Sequence, residues 1–313
     1  MSHIAFIFPG QASQYPGMGK ELFEKYEPAR EVFEEADRVL GFSLSQLCFE
    51  GPEDELKLTQ NTQPAILAVS VAAYGVLAAN GIQPDYVAGH SLGEYSALVA
   101  TGALGLPEAL TLVRNRGRYM QEAVPIGQGA MAAILGLDEE VLMGICAEAA
   151  QGEIVSPANF NSPQQTVIAG SAGAVQRAMK LAKDRGAKRA APLPVSAPFH
   201  CALMRPAEIQ LQQDIARLCF SEPAFPLVNN VDAVEVATSA RIGDSLVRQV
   251  CSPVRWTESM QFLIRRGVEF FVEVGPGRIL SGLLRQIDRN LKLANVENEK
   301  SLNETLTFLS KTE

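Results

Sequence analysis

Val87-Ala88-Gly89-His90-Ser91-Leu92-Gly93-Glu94 places a serine between two glycines, after a short apolar run and ahead of the helical stretch EYSALVATGAL at 94–104. Strand, tight turn and helix is the order in which Gly-x-Ser-x-Gly holds a nucleophile. The serine sits on a strained turn, the glycines admit neighbouring backbone, and the hydroxyl stands above a sheet. Gly89, Ser91 and Gly93 have that spacing. A Gly-rich turn with an inert serine shares the same letters. The strand before it and the helix after it favour the reactive reading, and with it an α/β fold.

Outward from this turn the chain keeps the α/β rhythm. Before it come a strand at 4–8, a Gly-rich loop (PGQASQYPGMG, 9–19), a charged amphipathic helix at about 21–39 and an alanine-rich buried helix at 65–79. After it, 129–196 reads as a unit of its own. AMAAILGL is a strand, and DEEVLMGICAEAA is a helix with Asp138 as N-cap. Two strands flank the polar turn in EIVSPANFNSPQQTVIAG, SAGAVQRAMKLAKDRG is a second helix ended by Gly186, and AKRAAPLPVS returns as a strand. That β-α-β-β-α-β order is ferredoxin-like. The expected organisation is a large α/β domain at 1–128 and 197–313 with a small ferredoxin-like subdomain inserted at 129–196. The strand VEFFVEVG and the loop GPGR at 275–278 belong to the large part.

Composition narrows the function classes. The chain has 313 residues, 47% hydrophobic and 20% charged, enough for a sizeable core. A formal charge of -8 disfavours a general grip on nucleic acid or an anionic membrane. Cys48, Cys146, Cys201, Cys219 and Cys251 show neither metal-ligand spacing nor the density of a disulfide scaffold, which fits a reducing cytoplasm. The apolar run IAFIF lacks a basic lead and stops at Pro9, as a first strand does. The longest apolar part, AILAVSVAAYGVLAA, falls short of the roughly 20 residues a membrane span needs.

A serine hydroxyl needs a base, and histidine serves at neutral pH. The chain has three histidines. His3 is terminal, and His90 adjoins Ser91 on a turn where successive side chains diverge, which leaves His200 in SAPFHCALM. No carboxylate stands out as its partner: the acids between Ser91 and His200, Glu94 among them, lie mostly on helices that read as solvent-facing. A dyad results, in which a backbone carbonyl is able to fix the imidazole tautomer. An oxyanion needs donors as well. The Leu92 N–H follows the nucleophile directly, and the loop at 10–12 offers further N–H groups.

Taken in order, FPGQASQYPGMG, TQPA, GHSLGEYSALV, RGRYMQEAVP, NFNSP, PFHCALM, SPVRWTESM and EVGPGRIL resemble malonyl-CoA:acyl carrier protein transacylases from end to end. The resemblance implies an α/β-hydrolase-like large domain carrying a ferredoxin-like small one. It also implies transfer of malonyl from coenzyme A to the phosphopantetheine thiol of acyl carrier protein for fatty-acid synthesis. It makes Ser91 the acylated nucleophile, His200 its base, the N–H groups of Gln11 and Leu92 the oxyanion hole, and the main-chain carbonyl of Gln249 the group that orients the histidine. Arg116 matches the arginine that pairs with the malonyl carboxylate, although among Arg114 and Arg118 it reads equally as a solvated helix residue. Gln63 and Asn159 match polar positions near the acyl pocket, or are turn and capping residues.

Two departures stand out. Ala12 replaces a glycine of the resembled pattern, so a positive φ there would strain the loop. Phe199 matches the residue that goes with malonyl over methylmalonyl selection among related polyketide acyltransferases, so the resemblance implies malonyl preference, while Ala197 and Pro198 differ from the usual lead-in. The basic run Lys180, Lys183, Arg185, Lys188 and Arg189 is unusual in so acidic a chain. It is either a solvated helix face or a docking site for anionic carrier protein and coenzyme A. The expected chemistry is ping-pong through a malonyl-serine, by a monomer, with no metal, cofactor, nucleic acid or membrane. A serine thioesterase or esterase, a polyketide acyltransferase and a non-catalytic scaffold are the competing readings.

Overall fold

The computed structural model describes residues 3–195 and 197–310. In chain order the strands are β1 (His3–Phe8), β2 (Tyr86–Gly89), β3 (Gly129–Leu135), β4 (Val155–Ser162), β5 (Gln165–Ser171), β6 (Arg189–Pro192), β7 (Leu227–Val228), β8 (Glu235–Val236), β9 (Val268–Val274) and β10 (Lys292–Val296). Six of them form a sheet in the order β10-β9-β1-β2-β7-β8, parallel except for β8. The other four form an antiparallel sheet in the order β4-β5-β3-β6.

β1 sits in the middle of the large sheet and is buried on both faces, which is why it reads as an unbroken apolar run. Phe6 and Phe8 pack with the helices Glu27–Leu40, Thr59–Ala79 and Leu106–Glu122, while Ala5 and Ile7 face the layer that holds Trp256, Met260 and Leu284. The chain leaves β1 toward β2 and β7, and later returns on its other side with β9 and β10. The strand order therefore reverses at β1, the place where open α/β sheets bind ligands beyond their carboxyl ends.

In the small sheet, helices Glu139–Ala150 and Ala172–Asp184 complete the ferredoxin-like unit. The pleat divides β3 between two environments. Ala132 and Ile134 pack against those helices, whereas Met131 and Ala133 join the core of the large domain. The fold is thus the expected one, an α/β-hydrolase-like large domain bearing a ferredoxin-like insert. The expected last residue of that insert, Ser196, lies outside the described residues.

Three elements differ in detail from their sequence reading. The helix expected at 21–39 is two helices, Lys20–Lys25 and Glu27–Leu40, with Tyr26 extended between them at φ -125 and ψ 122. Pro28 explains the break, since its ring excludes a continuous helix through the preceding turn. The helix expected at 65–79 begins earlier, at Thr59, with Pro64 accommodated inside it. At 21 residues it is long and apolar enough to cross a membrane, yet 78% of its most apolar window is buried within the protein. Asp138 occupies the N-cap position of its helix without a side-chain capping bond.

Candidate active site

Residues that follow β1 and β2, the helix Ile279–Ile287 that follows β9, and the inner face of the small sheet line a cavity of 250 Å³. Ser91 lies on its wall with φ 52, a left-handed conformation that a serine adopts only when its surroundings impose it. Two glycines make that turn fit. A Cβ at Gly89 would stand 1.9 Å from the Gly93 carbonyl carbon, and one at Gly93 would stand 2.0 Å from the Phe8 carbonyl oxygen. The turn is clamped from a third side by Asn230, whose Oδ1 accepts the Ser91 N–H at 2.6 Å and whose Nδ2 donates to Gly89 O at 2.6 Å.

The Ser91 Oγ lies 2.7 Å from His200 Nε2, and His200 Nδ1 lies 2.9 Å from the main-chain oxygen of Gln249. A carbonyl accepts only, so it fixes the proton on Nδ1 and leaves the Nε2 lone pair toward the hydroxyl. Gln249 ends the helix Ile242–Gln249, where carbonyls have no intrahelical donor and are free for such a bond. His200 is itself held at φ 59. Burial, then the positive charge of Arg116, push the imidazole down to about 3, so it is neutral at neutral pH.

His90 turns away from this pair. Its Nε2 lies 2.8 Å from Asn161 Oδ1, and its ring tilts over Trp256 at 5.5 Å. His3 lies at the amino end of β1, opposite the carboxyl ends that carry Ser91, with Nδ1 3.4 Å from Asp85.

Arg116 is 1% exposed, which overturns its reading as a solvated helix residue. Its Nη2 reaches Ser91 Oγ at 3.1 Å and Gln249 Oε1 at 2.9 Å, and its Nη1 reaches Gln63 Oε1 at 2.9 Å. The Tyr95 ring lies 5.2 Å beneath the guanidinium. Gln63 is accordingly a buried partner of Arg116 and neither a turn nor a helix cap. Asn159 and Phe199 line the cavity, with Gln11 and Ala12 at its rim. Among the described residues, neither the Gln11 N–H nor the Leu92 N–H donates to a protein acceptor, so both are unspent beside the nucleophile. Ala12 has φ 85, so the strain anticipated for a non-glycine residue is present there, held by its N–H bond to Gln14 Oε1 at 2.8 Å.

Residues 5–304 match the acyl transferase domain family. The chain belongs to that family. It is similar to the malonyl CoA-acyl carrier protein transacylase of Escherichia coli K12, with 50% identity over 302 residues that span 96% of this chain and 97% of the relative. Among solved structures it resembles an acyl carrier protein S-malonyltransferase from Vibrio cholerae, with TM-score 0.95 and 50% identity across 97% of this chain and all 100% of that one. It also resembles a malonyl-transacylase solved in complex with a type II PKS acyl-carrier protein, with TM-score 0.95, 49% identity, and coverage of 98% and 99% of the two chains.

Three further polar residues of this acyltransferase frame the site and escaped the sequence reading. Glu94, expected on a solvent-facing helix, is 1% exposed and accepts the Asn230 N–H at 3.0 Å and Gln249 Nε2 at 2.8 Å. Asn230 is fully buried, and Asn161 carries the side-chain bond to His90 two residues beyond Asn159. A signal for Asn161 existed, because residues two apart on a strand share a face. Glu94 sits on a helix buried on nearly every side, a second readable signal. Asn230 lies in a loop beyond β7 and carried none.

Proposed function

We propose that this acyltransferase moves a malonyl group from malonyl-CoA to the phosphopantetheine thiol of acyl carrier protein, through a malonyl ester of Ser91. One observation carries the choice of acyl group. Arg116 is a buried cation next to the nucleophile, and its two amide partners, Gln63 and Gln249, are neutral. An acyl chain ending in a carboxylate supplies a direct negative partner, which neither amide does, and matches the two-pronged guanidinium. The resemblance to the transacylases above supports the same reading. Phe199, on the cavity wall, favours malonyl over branched methylmalonyl, and Asn159 belongs to the acyl pocket.

In this scheme His200 Nε2 takes the Ser91 proton as Oγ attacks the thioester carbonyl. The tetrahedral oxyanion is met by the N–H groups of Gln11 and Leu92, each worth roughly 3 kcal/mol of barrier. Collapse breaks the C–S bond, and the departing thiolate of coenzyme A takes the proton from His200. The carrier thiol then gives its proton to the same nitrogen, attacks the ester carbonyl, and Ser91 leaves with the proton returned. These steps call on no cofactor, since malonyl-CoA is a substrate. Malonyl-carrier thioesters feed fatty-acid synthesis in this reading, and five unpaired thiols support a cytoplasmic setting.

The acceptor is tested by incubating the chain with malonyl-CoA in the presence and absence of holo-carrier protein. Malonyl-carrier protein should form much faster than free malonate. Free malonate formed at an equal rate in both mixtures would make the chain a hydrolase.

Carrier docking is part of the same proposal. Lys180, Lys183, Arg185, Lys188 and Arg189 are all exposed around the end of the helix Ala172–Asp184. Arg185 is already paired with Glu148, and Lys188 Nζ lies 3.5 Å from Gln164 Oε1. The double charge reversal Lys180→Glu with Lys183→Glu should raise the KM for carrier protein roughly three- to tenfold and flatten its salt dependence. The malonyl-CoA half-reaction should be unchanged. A carrier KM insensitive to both reversals would remove docking from this face.

A further inference from the structure

One buried carboxylate takes no part in those acyl-transfer steps. Glu94 is the second residue of the helix Gly93–Ala100 that follows the nucleophile turn. Its Oε2 accepts Gln249 Nε2 at 2.8 Å, and the Oε1 of the same carboxamide accepts Arg116 Nη2 at 2.9 Å. Guanidinium, carboxamide and carboxylate therefore run head to tail, with opposite charges at the two ends and an amide dipole aligned between them. Gln249 Nε2 also reaches Ser91 O at 3.1 Å, so the relay lies directly behind the nucleophile. The charged groups facing Glu94 are Arg116, from the helix Leu106–Glu122, and Asp232, from the loop beyond β7, which is itself paired with Arg248. Burial pushes the Glu94 carboxyl up to about 7, against the opposing pull of its Asn230 and Gln249 bonds and of Arg116.

We propose that Glu94 is a positioning residue for the dicarboxylic acyl group. In the empty site it is the counter-charge of Arg116, relayed through the Gln249 carboxamide, and it takes a proton from solvent when the substrate carboxylate assumes that role. The proposal rests on the malonyl reading above. Two carboxylates that share one buried guanidinium repel each other, and the one able to accept a proton does so. An acetyl group brings no second carboxylate and leaves the protonation of Glu94 as it was.

The test uses the full chain with Ser91→Ala, which binds acyl-CoA without being acylated. Titration calorimetry in buffers of differing ionisation enthalpy measures protons taken up on binding. The shared coenzyme A moiety cancels between malonyl-CoA and acetyl-CoA. Near pH 7 malonyl-CoA should take up about half a proton more than acetyl-CoA, and its Kd should weaken several-fold over about two pH units upward while that of acetyl-CoA stays flat. Glu94→Gln in the same background should abolish the difference. Equal uptake for the two ligands, or an excess that survives Glu94→Gln, overturns the proposal. Malonyl-CoA binding no tighter than acetyl-CoA would instead overturn the malonyl reading. The comparison of the two ligands needs only the Ser91→Ala protein, so it stands even if the Glu94 variant fails to fold.

Discussion

Replacing Arg116 by alanine is expected to lower malonyl transfer by about two to three orders of magnitude while leaving acetyl transfer within a few-fold of its original rate. The substitution removes a guanidinium that is 1% exposed and 3.1 Å from the nucleophile, where a bond to a carboxylate is screened little by water. Losing one partner of such a buried pair costs about 3–5 kcal/mol, and each 1.4 kcal/mol is tenfold. Acetyl has no carboxylate to lose. Lysine at 116 should recover only part of the malonyl rate, since a point charge cannot keep Gln63, Gln249 and a carboxylate aligned at once. Steady-state rates for the two acyl-CoA substrates decide the matter. Equal losses for malonyl and acetyl would show that Arg116 supports the fold of the site and does not read the acyl group.

The second large effect belongs to His200. Its replacement by alanine should slow acylation of Ser91 by about 10³- to 10⁴-fold, the residual rate coming from the oxyanion donors and binding alone. The pH dependence carries more information than the loss. His200 is pushed down to about 3 by burial and then by Arg116, and a base is available only above its pKa. At saturating malonyl-CoA the acylation rate should therefore hold its plateau as pH falls from about 8 to about 6, where an ordinary histidine of pKa about 6.5 would already have lost about three quarters of its activity. Arg116→Ala relieves part of the depression, so the acid limb for acetyl transfer should move upward in that variant. A limb fixed near 6.5 in both proteins would contradict the environment described for His200.

Much of this site could be read from residue order. Gly89, Ser91 and Gly93 declare the turn because their spacing is a steric requirement, and the structure shows why: any Cβ at either glycine meets backbone within 2.0 Å. His200 emerged because only three histidines were available. The ferredoxin-like insert was legible from the alternation of strands and helices. Arg116 was harder, since a basic cluster hides which member turns inward. Its helix nevertheless buries Ala109, Leu112, Val113, Arg116, Gly117 and Met120, so the arginine stands on the apolar stripe at i, i+3 and i+4 spacing. Gln249 likewise continues the buried stripe of Ile242, Ser245 and Leu246. A polar residue on such a stripe is the signal that composition and motif spacing pass over. The relay from Arg116 through Gln249 to Glu94 joins two consecutive helices to a third that lies 133 residues beyond Arg116, and no local pattern encodes it. The break at Tyr26 was available in Pro28 and was lost to the strength of the amphipathic pattern around it.

The claim that Ser91 carries the acyl group to a carrier thiol is tested most directly by intact-mass measurement of the chain after brief mixing with malonyl-CoA, followed by peptide mapping. A single malonyl adduct should appear on Ser91, vanish within seconds of adding holo-carrier protein, persist far longer in buffer alone, and be absent from Ser91→Ala. An adduct on another residue, or one discharged by water as fast as by carrier protein, would contradict it.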